Sequence, residues 1–172
     1  MPDTILPAEL VEKALAVILA NRRAGRIVTV AESCTGGLVS AALTEIPGSS
    51  DVFEVGFVTY SNDMKTEVLK VSHDVLDTFG AVSIATAWAM AQGALVKSRA
   101  HVAVAITGIA GPGGGSEQKP VGTVVFARAE KGGSPDTIVA DIRYFPDSGR
   151  GGVRLQAALC ALDLLLPNSP AP

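Results

Sequence analysis

The run Val102-Ala103-Val104-Ala105-Ile106-Thr107 constrains the fold more than any other stretch, because it has almost no polar interruption. A strand with one wet face alternates apolar and polar residues; a continuous apolar strand is buried on both faces and sits inside a sheet covered by helices on each side. That requirement points to an α/β architecture before any other segment is read.

The remaining segments supply the layers. From Leu6 to Asn21, residues Leu10, Val11, Ala14, Leu15, Ile18 and Leu19 recur on one face at helical spacing. Ile27 to Ala31 reads as a buried strand, and Gly36 to about Glu45 as a helix with Thr35 at its N-cap position. Phe53 to Tyr60 reads as a strand, followed by a short helix capped at Ser61-Asn62-Asp63 and carrying Lys65. A short helix at Asp74 to Thr78 and an Ala-rich one from Ser83 to about Lys97 precede the apolar strand. Beyond it, strands at Gly122 to Ala129 and Thr137 to Tyr144 flank the turn-rich Glu130-Lys131-Gly132-Gly133-Ser134-Pro135, which predicts a hairpin. A last helix runs from near Gly152 to Leu166, before a Pro-rich tail. The pattern predicts a three-layer α/β/α sandwich with a mixed, mostly parallel sheet, made mixed by that hairpin. At 172 residues, 48% hydrophobic, the chain is expected to form a single domain, with an ordered core over about 6–166.

Composition excludes several functions. The net charge of −3 and the absence of a Lys/Arg run give no electrostatic footprint for DNA or RNA. No apolar run approaches the ~18 residues of a membrane span, and Met1-Pro2-Asp3-Thr4 lacks the basic start of a signal peptide, so a cytoplasmic protein without membrane contact is expected. Cys34 and Cys160 lack metal-type spacing, and His73 and His101 are the only histidines, so no metal is expected.

Three loops follow predicted strands, and in an open α/β sheet ligands bind beyond the carboxyl ends of the strands. The first is Glu32-Ser33-Cys34-Thr35-Gly36-Gly37, a strand-to-helix junction suited to anion binding through Ser33, Thr35 and the glycine pair. The second follows Tyr60 and leads to Lys65. The third is Thr107-Gly108-Ile109-Ala110-Gly111-Pro112-Gly113-Gly114-Gly115, which lacks the Gly-Lys-Ser/Thr ending of a nucleoside-triphosphate loop but can bring backbone N–H groups close to an anion. A serine nucleophile needs a base; with no histidine in these loops, a partly desolvated Lys65 can serve. Glu32, Cys34 and Lys65 are also the residue types of a carboxylate-lysine-cysteine amidase, although adjacent side chains on an extended segment point apart, so Ser33 and Cys34 are not both expected to face a ligand. Arg150, set among glycines, can clamp a phosphate or carboxylate. Each of these residues also has an ordinary structural use: Ser33 and Ser50 in turns, Lys65 on a wet helix face, Tyr60 at a core edge, Cys34 in the core and Arg150 in a solvated loop.

Taken together, Ala31-Glu32-Ser33-Cys34-Thr35-Gly36-Gly37, Pro47-Gly48-Ser49-Ser50, Val58-Thr59-Tyr60-Ser61-Asn62 with Lys65, Gly80-Ala81-Val82-Ser83, Ile106-Thr107-Gly108-Ile109-Ala110-Gly111-Pro112-Gly113-Gly114 and Lys119-Pro120-Val121-Gly122-Thr123-Val124 resemble, in order, the CinA C-terminal domain family. Near the last helix the family often shows Gly-Asp-Arg, whereas here Arg150 follows Gly149 directly. The resemblance implies a nicotinamide-nucleotide amidase that converts nicotinamide mononucleotide to nicotinate mononucleotide and ammonia, in pyridine nucleotide salvage. It implies no cofactor, no metal, and a homodimer or higher homo-oligomer; the chain looks like the form without the family's molybdopterin-binding-like N-terminal domain. Carried onto this chain, the family's serine-lysine chemistry falls on Ser50 and Lys65, with Tyr60 and Arg150 completing the catalytic set. Ser33, Thr35, Gly36, Gly37, Thr107, Gly108, Gly111, Gly113 and Gly114 would line the substrate pocket. Ser33 and Cys34 remain rival nucleophiles, and a noncatalytic nucleotide-binding module is the alternative on the same fold.

Overall fold

The computed structural model describes residues 4–134, 136–146, 148–167 and 169; the N-terminal Met1-Pro2-Asp3, the hairpin's Pro135 and most of the Pro-rich tail lie outside them. Among the described residues no helix is long and apolar enough to cross a membrane.

Five strands form one sheet in the order β2-β1-β3-β4-β5: β1 Val28–Glu32, β2 Phe53–Val58, β3 Val102–Gly108, β4 Thr123–Glu130 and β5 Ala140–Tyr144. β1 is parallel to both β2 and β3, with Val28 opposite Val102 and Glu32 opposite Ile106. β4 is antiparallel to β3 and to β5, so the expected hairpin gives the sheet its mixed character. The chain leaves β1 to one side and returns to its other side at β3. Strand order therefore reverses at β1, which opens a crevice at the carboxyl ends of β1 and β3.

Helices α1 (Ala8–Arg23), α2 (Leu38–Thr44) and α6 (Gly149–Leu165) cover one face, and α3 (Asn62–Leu69), α4 (His73–Phe79) and α5 (Ile84–Val96) the other. The two faces of β3 are unequal. Val104 and Ile106 enter the larger core with Leu10, Ile18, Phe126 and Leu162, whereas Ala103 and Ala105 meet Ala87, Met90, Ala91 and Ala94 of α5. Alanine on alanine lets α5 lie close to the sheet, as its composition predicts. α5 also lies close to α3: a Cβ on Gly93 would sit 2.1 Å from the Leu69 carbonyl oxygen.

The strand expected from Thr137 begins only at Ala140, and the loop expected at Ser49 and Ser50 is folded. Ser49–Asp51 forms a short 3-10 turn before β2. It is tied to the end of α1, where Arg22 donates to the Gly48 carbonyl at 2.6 Å and pairs with Asp51 at 3.3 Å.

Candidate active site

Lys65 is the fourth residue of α3. Ser61 caps that helix by accepting from the Met64 N–H at 3.2 Å, and helical side chains lean toward their N-terminus. The Lys65 side chain therefore runs back beneath the loop leaving β2, where its Nζ donates to the carbonyls of Thr59 at 2.9 Å and Tyr60 at 3.2 Å. Its remaining direction meets Ser33 Oγ at 3.1 Å. Lys65 is 1% exposed, and burial pushes its pKa below the usual lysine value, opposed only by the Cys34 thiol.

Ser33 reaches that position because it follows β1 directly and continues the pairing with β3 by one bond. The Ser33 N–H donates to the Ile106 carbonyl at 2.9 Å, while the Thr59 N–H donates to the Glu32 carbonyl at 2.9 Å. The junction is thus fastened to the exits of β3 and β2 together. The chain then turns, with the Gly36 N–H donating to the Ser33 carbonyl at 3.0 Å. Because the segment turns rather than stays extended, Ser33 and Cys34 both line the crevice, contrary to the expectation that only one could. Burial pushes the Cys34 thiol up to about 11, opposed by the N–H groups of Cys34 and Thr35; Glu32 adds to the rise and Arg154 lowers it. Such a thiol is protonated near neutrality and is a poor nucleophile.

Ser50 does not approach Lys65. It is exposed on the 3-10 turn before β2, whereas Lys65 lies past the far end of that strand. The six residues of β2 span about 20 Å, so within one chain the serine facing Lys65 is Ser33.

The crevice has a volume of about 290 Å³ and is also lined by Tyr60, Asn62, Thr107, Gly108, Gly111, Gly113, Gly114 and Arg150. Thr107 Oγ1 donates to the Ala81 carbonyl at 2.8 Å and so pins the segment between α4 and α5 against the crevice. Arg150 lies in the first turn of α6 rather than before it, and bridges two loops by donating to the Gly111 carbonyl at 2.7 Å and to Tyr60 Oη at 2.9 Å. Three of the loop glycines are required by packing: a Cβ on Gly108 would lie 2.9 Å from the Thr123 carbonyl oxygen, one on Gly111 2.6 Å from Val121 Cγ1, and one on Gly115 2.8 Å from the Val121 nitrogen. Gly113 faces open space, leaving backbone accessible to a ligand.

Thr35, Gly36 and Gly37, expected in the binding surface, stand behind the turn instead. The start of α2 is not open to an anion, because the buried Glu32 carboxylate already accepts from the N–H groups of Gly37 at 3.0 Å, Val39 at 3.2 Å and Ser40 at 2.8 Å. Thr35 is therefore not the cap of α2; Gly37, at φ +93°, holds the cap position and Glu32 supplies the missing side chain from five residues earlier. That commitment also removes Glu32 from a carboxylate-lysine-cysteine arrangement.

The described residues lining the crevice include the Arg150 guanidinium but no Asp or Glu, so its charge suits an anionic ligand. Among the described residues, no group of three or more His, Cys, Asp or Glu is placed to hold a metal ion. Sequence reasoning missed Asn62, at the start of α3, and Arg154, which binds the back of the Ser33 turn. Arg154 had a signal: it lies four residues after Arg150, on the same face of α6.

Residues 10–168 match the family described as CinA C-terminal domain. The chain belongs to that family. Among its members, a nicotinamide-nucleotide amidohydrolase, PncC, of Enterobacter agglomerans is 51% identical over 139 residues, covering 81% of this chain and 82% of that protein. A competence-damage inducible protein of Symbiobacterium thermophilum is 47% identical over 163 residues, 91% of this chain but 37% of the relative, so the chain spans just over a third of that longer family member. Among solved structures of the family, the competence/damage inducible protein CihA from Agrobacterium tumefaciens superposes with a TM-score of 0.89 at 48% identity, covering 94% of this chain and 96% of that one.

Proposed function

We propose that this chain is an amidohydrolase acting on a nicotinamide nucleotide, with Ser33 as nucleophile and Lys65 as its base. The observation that carries the reading is the set of three contacts at Lys65 Nζ. A neutral amine keeps two N–H bonds, and the Thr59 and Tyr60 carbonyls occupy them; the lone pair is then left facing Ser33 Oγ. Burial without a carboxylate partner favours that neutral form. The amide substrate is suggested by the named PncC relative, which this chain matches over most of both lengths.

In this reading Ser33 gives its proton to Lys65 as Oγ attacks the carboxamide carbon. Backbone N–H groups of the loops that line the crevice meet the resulting oxyanion. Lys65 returns the proton to the departing nitrogen, ammonia leaves, and an acyl-serine remains. Water then attacks the ester, Lys65 takes its proton and gives it back to Ser33 Oγ, and the acid is released. Arg150 and the Gly113-Gly114 backbone hold the nucleotide phosphate, and Tyr60, fixed by Arg150, closes the outer wall.

Ammonia release from nicotinamide mononucleotide tests the reading. Ser33→Ala is expected to lose about 10³-fold or more in kcat while Ser50→Ala stays near the parent value. Nucleotide binding without ammonia release would instead support a noncatalytic binding module, and an inactive Ser50→Ala beside an active Ser33→Ala would return the nucleophile to the 3-10 turn.

A further inference from the structure

The turn that presents Ser33 is gripped from behind by two charged side chains that the chemistry above does not use. Glu32, wholly buried, gathers the N–H groups of Gly37, Val39 and Ser40 and also accepts from Ser40 Oγ at 2.7 Å. Arg154, one turn along α6 from Arg150, takes the turn's carbonyls: its Nε donates to Cys34 O at 3.2 Å and its Nη2 to Thr35 O at 3.0 Å. The carboxylate therefore holds the donors of the junction and the guanidinium its acceptors. With the Cys34 and Thr35 carbonyls pulled toward α6, their peptide planes are fixed and so is the direction of the neighbouring N–H groups.

We infer that Arg154 and Glu32 are positioning residues that set the reactivity of Ser33 by clamping the turn from opposite sides, neither touching the substrate. The inference rests on Ser33 as the reacting serine. Arg154 suits the task because one planar fork satisfies two carbonyls in a fixed geometry; a lysine's single ammonium, on a shorter and differently shaped head, cannot reproduce both bonds at once. Glu32 suits it because a buried carboxylate matched by four donors has little freedom to move.

The experiment compares wild type, Arg154→Ala, Arg154→Lys and Glu32→Gln by steady-state ammonia release, thermal unfolding and the rate at which a sulfonyl fluoride modifies Ser33, read by peptide mass spectrometry. Folded variants are expected to lose about 100-fold in kcat with KM within about twofold of wild type, and their sulfonylation rate should fall in parallel. Low millimolar guanidinium ion should restore activity to Arg154→Ala, whereas ammonium ion at the same concentration should not. If Arg154→Ala does not unfold cooperatively, Arg154→Lys and Glu32→Gln carry the comparison. Unchanged kcat and sulfonylation in the folded variants, or equal rescue by ammonium, would overturn the clamp. Should wild type be sulfonylated at Ser33 without releasing ammonia, the amidase reading falls, and the sulfonylation rates of the variants still decide for or against the clamp.

Discussion

Lys65 Nζ is held by two backbone carbonyls and a hydroxyl deep in the protein, and burial lowers its pKa from the usual lysine value. For Lys65 this sets a pH dependence with a definite sign. Its lowered pKa means that the neutral, proton-accepting form grows as pH rises, so kcat/KM for the free protein should climb with pH through that lowered value, below the range of an ordinary lysine. Lys65→Arg keeps the charge but cannot deprotonate near neutrality; we expect it to be nearly as inactive as Lys65→Ala, and a near-normal kcat would end the role of Lys65 as a base. The Cys34 thiol, raised to about 11, makes the opposite prediction. Cys34→Ala should retain most activity, and at pH near 8 iodoacetamide should modify Cys34 far more slowly in folded than in denatured protein. Inactivity of a folded Cys34→Ala would transfer the nucleophile to sulfur. At this scale the residue types were legible in the sequence, but their pairing was not. Ser33 and Ser50 each stand in a turn, and no local pattern tells which end of a strand a lysine several residues later will reach.

Among the elements, α5 and α3 are the pair whose separation most directly places Lys65. Gly93 lets the two approach because a methyl group there would collide with the Leu69 carbonyl, a backbone atom that cannot rotate away. Gly93→Ala should therefore destabilise the protein by about 1–3 kcal/mol in chemical denaturation despite alanine's better helix propensity, and a neutral or stabilising result would show that α3 is free to shift. The helix-and-strand sequence was readable because hydrophobic periodicity and capping are local, and Ser61 and Ser83 cap α3 and α5 as their positions predict. The start of α2 was misread for a physical reason. Cap rules look to the residue at the cap itself, and here the cap is glycine while the accepting carboxylate folds back from the end of β1.

Across the whole molecule, the crevice is assembled by loops distant in sequence, and Arg150 joins them by bonding Tyr60 and Gly111 at once. If it also holds the nucleotide phosphate, Arg150→Ala should raise KM for nicotinamide mononucleotide at least about tenfold, and the riboside lacking the phosphate should be a poor substrate for wild type yet little affected by the substitution. Equal losses on both compounds would confine Arg150 to bracing the loops. The apolar run of β3, the alanines of α5, the glycines after Thr107 and the hairpin of β4 and β5 were determined by the sequence itself, since backbone propensity and burial pattern act over a few residues. Which polar groups meet was decided only by tertiary structure. The reversal of strand order at β1 brings the ends of β1, β2 and β3 together, placing Ser33 against Lys65 and leaving Ser50 at the opposite end. It also turns Glu32 and Arg154 into a brace behind the serine, because a buried charge settles where the fold offers it donors or acceptors rather than where its neighbours in sequence stand.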